Sequence, residues 1–364
     1  MTQECSHVAD QAKIIPKQIG SGVKKVALLY HPSTLREKGA LWAAGLFTVT
    51  YLVIVFVLHF WWSKEPAEFD VRENALAMAD GDAKKLVTGS YTTSTIVQVA
   101  RTLLEKPGGY LSNDVAPPGR FLDNIPNWEF GVLVQVRDMT RSLRNDLSRS
   151  QSQSVENTDL SEAEPQFNFQ NNSWIFPATE NEYQKGIDAL TRYLHHLAQA
   201  DRPGTQFYAR ADNLRDWLAI VEKRLGSLSQ RLSASVGQVR VNTDLAGDTS
   251  ASQSTRGADE VYVQTPWLEI DDVFYESRGT TWALIHFLKA IEIDFAEVLN
   301  KKAALPSLRQ IIRELEHTQA TVWSPMVLNG GGFSVVTNYS LVMASYISRA
   351  NAAVIDLRNL LQQG

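Results

Sequence analysis

The chain has 364 residues, of which 44% are hydrophobic and 21% charged, and its formal net charge is −5. This acidic balance argues against nucleic acid as a partner, because phosphates require a positive protein surface. The single cysteine, Cys5, leaves the rest of the chain without a thiol, which excludes a disulfide scaffold, a cysteine nucleophile and a cysteine-ligated zinc site there.

Residues 1–39 form a basic segment with six basic and three acidic side chains. The next 23 residues, 40–62, contain no Asp, Glu, Lys or Arg and read ALWAAGLFTVTYLVIVFVLHFWW. About 20 residues of α-helix cross the ~30 Å hydrocarbon core of a bilayer. Trp42 at one end and Trp61 and Trp62 at the other suit the headgroup layer, which aromatic side chains favour. The sequence therefore predicts a transmembrane helix over residues 40–62.

The charges on either side of this segment predict its orientation. Residues 63–364 hold 29 basic and 37 acidic side chains, in contrast to the basic N-terminal segment. Positively charged flanks stay in the cytoplasm, so we expect a cytoplasmic N-terminus and an exported C-terminal domain. A cleaved signal peptide is the alternative, but the apolar run exceeds the ~7–15 residues of such signals and lacks a small-residue cleavage site.

Helical periodicity dominates the exported part, with apolar residues recurring at spacings of three and four. Such seams bury one stripe of a helix against its neighbours, so the fold class predicted is all-α, a multi-helix bundle after a single transmembrane helix. The seams comprise Val132, Val136, Met139 and Leu143; Ile187, Leu190, Leu194 and Leu197; Leu214, Leu218, Val221, Leu225, Leu228 and Leu232; Leu284, Leu288, Ile291, Phe295 and Val298; and Met343, Tyr346, Ala350, Ala353, Leu357 and Leu360.

Domain boundaries follow from turn residues and composition. Residues 63–126 are predicted to be a helical and irregular connecting region, and residues 127–364 the bundle. Polar loops are expected near 148–172 and 242–260, which are too polar to bury a core. A helix should begin at Thr179, where Thr-Glu-Asn-Glu has the form of a capping box, and another in the turn that contains Pro306.

Four tryptophans raise the alternative of two pseudo-repeated halves. Trp128 and Trp282 each open a predicted helix, and Trp174 and Trp323 each precede another one. Chance similarity of short motifs is the simpler explanation, so both readings stay open.

No pattern predicts a metal ion or a cofactor. Glu314 and His317 have the Glu-x-x-His spacing of helical di-metal sites, but a second copy is missing from the sequence. His195 and His196 are adjacent and point about 100° apart on a helix, which suits one metal ion poorly.

Two further patterns could hold an anion. The turn at 330–332 is glycine-rich but lacks the Lys-Ser/Thr ending of a phosphate-binding loop. Arg137, Arg141 and Arg144 line one helix face, which we interpret as a solvated surface diluted by acidic neighbours.

Several stretches of the chain resemble the bacterial family of domain of unknown function 2333: HPSTLREKGALWA, GGYLSNDVAPPGRFLDNIPNWEFGVLVQVRD, SWIFPATENEYQKGI, FYARADNLRDWL and WSPMVLNGGGF. The resemblance covers nearly the whole chain. It implies a Gram-negative origin, attachment to the inner membrane and no assigned activity. In such a bacterium the exported domain expected from the charges would be periplasmic. No functional residue can be transferred from it.

The leading hypothesis is a structural or adaptor protein that binds another envelope protein as well as the bilayer. Small residues at the start of the predicted span, with small-xxx-small spacing, also permit a homodimer. Loops on a rigid scaffold carry most binding functions. The candidate partner-binding residues are Tyr110, Asn113, Asp114, Arg120, Phe121, Trp128, Gly331 and Phe333.

Two alternatives to the adaptor hypothesis remain, an enzyme or ligand-binding protein and a factor that acts on lipids. A periplasmic enzyme or ligand-binding protein acting on peptidoglycan or lipid would show a deep pocket with convergent carboxylates of raised pKa. A filled bundle with an apolar surface patch would instead favour a partner protein. A third hypothesis is a factor that acts on lipids, with the acidic domain as a spacer.

Overall fold

A computed structural model describes residues 28–150, 155–199, 205–241, 260–324, 326–332 and 335–363, together with Val26. These described residues form twelve α-helices and little sheet, with 70% helix, so the all-α prediction is confirmed. It divides into two compact units, residues 1–60 and residues 61–364. The predicted connecting region therefore belongs to the same unit as the bundle.

The α-helices, in chain order, are α1 (Pro32–Lys38), α2 (Ala40–Trp62), α3 (Val71–Met78), α4 (Ser90–Glu105), α5 (Asn124–Ser142), α6 (Thr158–Phe167), α7 (Thr179–Leu197), α8 (Ala211–Ser233), α9 (Ile270–Asp294), α10 (Ala296–Lys301), α11 (Leu305–Glu316) and α12 (Tyr339–Gln362). Strands β1 (Gln238–Val241) and β2 (Glu260–Val263) pair antiparallel, with Gln238 opposite Val263.

Helix α2 has the bounds of the predicted span. Among the described residues it is the one helix that is long and apolar enough to cross a membrane, and no residue of it is buried. A soluble helix that leaves such a sequence exposed would be costly in water, because apolar surface favours a nonpolar environment.

The close crossing of α5 and α9 lies at the centre of the larger unit. A Cβ atom on Gly131 of α5 would lie 2.1 Å from the backbone oxygen of Glu276, and one on Gly279 of α9 would lie 2.0 Å from that of Trp128. The indole rings of Trp128 and Trp282 pack beside this crossing at 5.2 Å. The two backbones can touch only because both glycines lack side chains.

The apolar seams explain most of the remaining packing. All six seam residues of α8 are buried, and α8 packs against α12. In α12 the buried stripe drifts from the predicted seam, since Ile347 and Val354 are fully buried while Tyr346 and Ala353 are only half-buried. An α-helix has 3.6 residues per turn, so a seam written at a 3.5 spacing shifts along a long helix.

The predicted polar loop near 148–172 requires correction, because it contains α6. The Asn157 side chain caps this helix by accepting hydrogen bonds from the backbone N–H groups of Asp159 and Leu160, at 3.0 and 3.3 Å. Leu160 and Phe167 are buried in the core. A few correctly spaced apolar residues are enough to fix a helix in a polar segment. Residues 242–259 of the second predicted loop lie outside the described residues.

Two other helix signals have mixed outcomes. Pro306 lies in the first turn of α11, as predicted. Helix α7 begins at Thr179, but the capping-box interpretation is wrong because Ala178 is the N-cap. The Thr179 hydroxyl instead donates to the backbone oxygens of Gln170 and Ser173, at 2.8 and 3.1 Å, and so closes the preceding loop.

The positions of the tryptophans do not support two pseudo-repeated halves. Trp128 lies in the first turns of α5, but Trp282 lies in the middle of α9 and opens no helix. Both indoles are core residues at the same helix crossing.

The start of α4 is capped from a distant part of the chain. Asp294, the last residue of α9, accepts hydrogen bonds from the N–H groups of Gly89 and Thr92 at 2.8 and 2.7 Å, and from the Thr92 hydroxyl at 2.7 Å. Burial raises the pKa of this carboxyl to about 6, against the opposing effect of these donors. A side chain from α9 thus takes the role that a local N-cap usually has.

Candidate functional site

The predicted partner-binding loop after α4 is fixed to the core by a buried ion pair. Lys106 Nζ lies 2.6 Å from Glu129 Oε1, and both side chains are inaccessible to water. Glu129 also accepts hydrogen bonds from the backbone N–H groups of Leu111 and Ser112, each at 2.8 Å. Burial raises the pKa of the Glu129 carboxyl, and Lys106 and the hydrogen-bond donors oppose that shift. The ion pair therefore holds the loop backbone on α5.

Two of the predicted contact residues face inward. The Tyr110 hydroxyl donates to the backbone oxygen of Asn171 at 2.9 Å. The Asn113 amide donates to the backbone oxygen of Ser173 at 2.9 Å and to Glu180 at 2.7 Å. Both side chains are buried, so they position the loop around Ser173 and cannot themselves contact a partner.

Trp128, which was predicted to contact a partner, is fully buried beside Trp282 and is not part of the surface. A tryptophan at a helix start can serve the core as well as an interface, and its sequence context does not distinguish the two. Arg120 and Phe121 are exposed, and Asp114 is half-buried with a pKa raised by burial and by Glu180.

Exposed apolar side chains remain on this loop and on the loop at residues 171–177, to which Tyr110 and Asn113 bind. Phe121 is 66% exposed and Phe176 is 94% exposed, and Val115, Trp174 and Ile175 are exposed to more than half. We name these five residues the Phe121–Phe176 surface. Residues 174–176 were not predicted as a site, although an apolar Trp-Ile-Phe run in a loop is itself the signal that could have found them.

This surface adjoins the chain segment that follows the predicted span. Trp62 packs against Leu111, Leu122 and Ile125. A Cβ atom on Gly108 would lie 2.8 Å from two atoms of the Trp62 ring, so the ring rests directly on that glycine. Trp62 is thus partly buried against the folded domain rather than a free aromatic anchor, while Trp61 is 54% exposed.

The residues after Trp62 are fastened along α9 by charged contacts that the sequence did not indicate. Arg278 donates to Glu65 from Nε at 2.7 Å and from Nη2 at 2.5 Å. Its remaining nitrogen, Nη1, donates to the backbone oxygens of Thr318 and Ala320, each at 2.9 Å. One guanidinium therefore ties three segments together, which is the geometry that arginine provides best.

A buried histidine completes this attachment. His286 Nδ1 lies 2.7 Å from the backbone oxygen of Trp282, to which it donates, so Nε2 is free to accept the Phe69 N–H at 3.1 Å. The rings of Phe69 and His286 stack with centroids 4.1 Å apart. Burial lowers the pKa of His286 to about 4, and the neutral imidazole is the form that both hydrogen bonds require.

Gly331 lies on the segment between α11 and α12 and not on the loop after α4. It lines a cleft of about 480 Å³ with Trp267 and Ile270. A second cleft of about 340 Å³ is lined by Trp323 and Phe274, and Phe274 is one turn further along α9 from Ile270. Phe333, also predicted here, lies outside the described residues.

The rims of these two clefts are apolar and exposed. Trp267 is 70% exposed and Trp323 is 91% exposed. Leu268, Met326 and Val335 are exposed apolar residues of the same segments, and we name the five residues Trp267, Leu268, Trp323, Met326 and Val335 the Trp267–Trp323 surface. The sequence hypothesis of one site therefore separates into two apolar surfaces.

The histidines have ordinary structural partners. Among the described residues, no group of three or more His, Cys, Asp or Glu is arranged to hold a metal ion. His196 Nδ1 lies 2.8 Å from Asp159, and His195 contacts Gln199 at 3.2 Å. His317 stacks on Tyr346 with ring centroids 5.1 Å apart.

The arginine face on α5 is not simply solvated. Arg137 donates to the backbone oxygens of Phe167 and Phe169, at 2.6 and 2.8 Å, and Arg144 binds Glu156 and Glu164, each at 2.7 Å. These two arginines hold the chain around α6 in place, whereas Arg141 is exposed. The prediction of a solvated face is wrong for Arg137 and Arg144.

The carboxylates with raised pKa do not converge on a cleft. Burial and the neighbours Asp271 and Asp123 raise the pKa of Asp272 to about 6. The pKa values of Asp114 and Asp146 are raised mainly by burial. None of these lines the two clefts above, or the other clefts of about 410, 520 and 450 Å³ in the described part of the chain.

Comparison with protein families identifies a family for this chain. Residues 35–364 match the model of the family described as "Uncharacterized protein conserved in bacteria (DUF2333)". No curated protein and no solved structure matches the chain.

Proposed function

The chain belongs to this bacterial family, DUF2333, and from that premise we propose that it is a membrane-anchored structural or adaptor protein that binds another cell-envelope protein. The Trp267–Trp323 surface is the observation that carries the proposal. Its partner is a protein that presents an apolar segment to the two clefts.

The chemistry of this surface suits protein recognition. Tryptophan is enriched among the residues that dominate binding energies, and a cleft beside it provides the pocket in which a partner side chain loses its water. Trp323 keeps almost none of its area in contact with the domain, although the core beneath is filled by large side chains such as Phe274 and Met343. Exposed apolar side chains grouped in this way mark interaction sites.

Hydrogen bonds join the loop at residues 328–330 to the start of α12. The Asn338 amide donates to the backbone oxygen of Gly330, at 2.5 Å, and the Tyr339 N–H donates to that of Leu328 at 2.9 Å. Asn329 accepts a hydrogen bond from the Ser340 hydroxyl at 2.7 Å. The loop is therefore closed onto the start of α12, which reduces the entropy that binding would cost.

Helix α2 supplies the anchor in this proposal. The basic residues before it and the acidic balance after it support a cytoplasmic N-terminus and a domain on the opposite side of a bacterial inner membrane. A tethered domain meets membrane-bound partners at a raised effective concentration, so a moderate affinity suffices.

The alternative of an enzyme or ligand-binding protein acting on peptidoglycan or lipid has less support. Chemistry requires convergent groups of perturbed pKa in a cleft, and the carboxylates of raised pKa in the described residues lie elsewhere.

Photo-crosslinking in living cells tests the proposal. A photoreactive residue replaces Trp267 or Trp323 in the full chain, and the matched control replaces Glu297, which is exposed on α10. We expect a discrete protein adduct from the two tryptophan positions and none from Glu297. Equal amounts of the three variants without a protein adduct from either tryptophan position would show the proposal to be wrong.

A further inference from the structure

We propose that the Phe121–Phe176 surface inserts into the headgroup layer of the bilayer that α2 crosses, so that the folded domain rests on the membrane. This inference depends on α2 being a transmembrane anchor but not on the partner-binding role of the Trp267–Trp323 surface. Its occupant is lipid rather than protein.

The position of Trp62 in the chain is the first step. Trp62 is the last residue of α2 and ends the apolar run, so a transmembrane α2 leaves the hydrocarbon core at this point. Its ring rests on Gly108 and packs against Leu111 and Leu122. The loop that covers Trp62 is therefore held at the depth of the headgroups.

Phe121 lies next to the residues that contact Trp62. It closes the short 3₁₀ turn Gly119–Phe121, and the next residue, Leu122, packs on Trp62. The two adjacent side chains therefore differ in exposure: Leu122 is buried against Trp62, whereas Phe121 is 66% exposed.

The second loop is joined to the same segment. Tyr110 and Asn113, on the loop that covers Trp62, donate to the backbone of Asn171 and Ser173 at 2.9 Å each. The Ser173 hydroxyl closes the following turn by donating to the backbone oxygens of Ile175 and Pro177, at 3.1 and 2.9 Å. Trp174, Ile175 and Phe176 are therefore presented by a closed turn and not by a free segment.

The composition of the surface matches a headgroup layer. Trp and Phe are amphipathic or apolar rings that favour the membrane interface, and Phe176 is 94% exposed. The exposed charged side chains next to Trp62 and Phe121 in the sequence are of both signs, namely Lys64, Arg120 and Asp123. The attraction is therefore mainly apolar, and we expect it to be insensitive to salt.

Quenching by spin-labelled lipids in proteoliposomes tests the inference. The full chain, in a Cys5→Ser background, carries a single fluorescent label at Phe176→Cys, in phosphatidylcholine vesicles with a nitroxide near the headgroup. The matched control is Val155→Cys, an equally exposed apolar position beside Glu156. Glu156 pairs with Arg144, beyond the end of α5 that lies opposite Ile125 and Trp62. We expect the label at 176 to lose most of its fluorescence in low and high salt, and the label at 155 to keep it.

Labels at Ile175→Cys and Phe121→Cys give independent readings, so poor folding of one variant does not decide the result. Equal fluorescence at 121, 155, 175 and 176 would overturn the inference. Shielding at these sites that depends on the protein-to-lipid ratio, without quenching by the spin label, would also overturn it and would indicate contact between copies of the chain. Quenching that high salt abolishes would contradict the apolar attraction proposed here.

Discussion

Phe69 donates its backbone N–H to Nε2 of His286 at 3.1 Å, across 217 residues of sequence. Through this bond the segment that follows the predicted span is attached to the most buried helix of the domain. Both hydrogen bonds of the imidazole require one protonated and one unprotonated nitrogen. The attachment is therefore sensitive to acid.

We predict that His286 lowers the free energy of unfolding as the pH falls from about 6.5 to about 4. The folded pKa of about 4 is below the ordinary value of 6.5. Stability from this group is therefore fully present above pH 6.5 and is lost as the pH falls toward 4, by about 3 kcal/mol in total. The free energy of unfolding of His286→Asn, measured against pH by urea titration, should lack this loss. The control is His195→Gln, which changes an exposed side chain and should keep the pH dependence of the unaltered chain. An unfolding free energy that falls with pH in His286→Asn as steeply as in the unaltered chain would contradict the prediction.

Asp294 should act in the opposite direction. Its folded pKa of about 6 is above the ordinary 3.8, so the folded state binds the proton more tightly and loses stability as the pH rises through this range. Relative to Asp294→Asn, the unaltered chain should gain about 3 kcal/mol between pH 7 and pH 3.5. Calorimetry of both proteins across this range gives the difference. A difference that is constant with pH would show that Asp294 remains ionised throughout.

The two crossing glycines provide a test of the core. Gly131→Ala or Gly279→Ala would place a methyl group about 2 Å from a backbone oxygen, and the helices would have to separate. We expect each to lower the free energy of unfolding by about 3 kcal/mol or more. The control is Gly226→Ala on α8, where the nearest atom would be 3.6 Å away, and there alanine should be neutral or stabilising by up to about 1 kcal/mol. Similar midpoints in urea for all three variants would contradict the crossing.

Breaking the buried ion pair should release the loop over Trp62. Lys106→Met leaves the Glu129 carboxylate buried without its cation, which costs about 3–5 kcal/mol. The double variant Lys106→Met, Glu129→Leu removes both charges, so it should be more stable than Lys106→Met alone. Urea unfolding of the unaltered chain, the two single variants Lys106→Met and Glu129→Leu, and the double variant completes a double-mutant cycle. Additive effects of the two substitutions would mean that the pair is not coupled.

The sequence predicts the parts of this fold that depend on local periodicity. The apolar run of α2 and the seam of α8 are visible because every contributing residue lies within one helix. Helix α6 is harder to predict, because only Leu160, Ala163 and Phe167 mark it within a polar segment. A single sequence also does not indicate whether Trp128 faces the core or a partner, since both environments favour tryptophan.

Contacts between distant segments escape such reasoning. The links from Glu65 to Arg278 and from Phe69 to His286 join residues that the sequence gives no reason to pair. The candidate surfaces share this difficulty: Phe121 and Phe176 are 55 residues apart in the sequence, and Tyr110 and Asn113 join the loops that carry them.

The central claim is that the Trp267–Trp323 surface binds another envelope protein, and adduct formation from Leu268 tests it most directly. A photoreactive residue at Leu268, which is 83% exposed, reports on the surface in living cells while both tryptophans can be varied. We predict a protein adduct in the otherwise unaltered chain, and a reduction of at least about tenfold when Trp267→Ser and Trp323→Ser are combined. An adduct of unchanged yield in the double variant, at equal protein level and equal thermal stability, would contradict the claim.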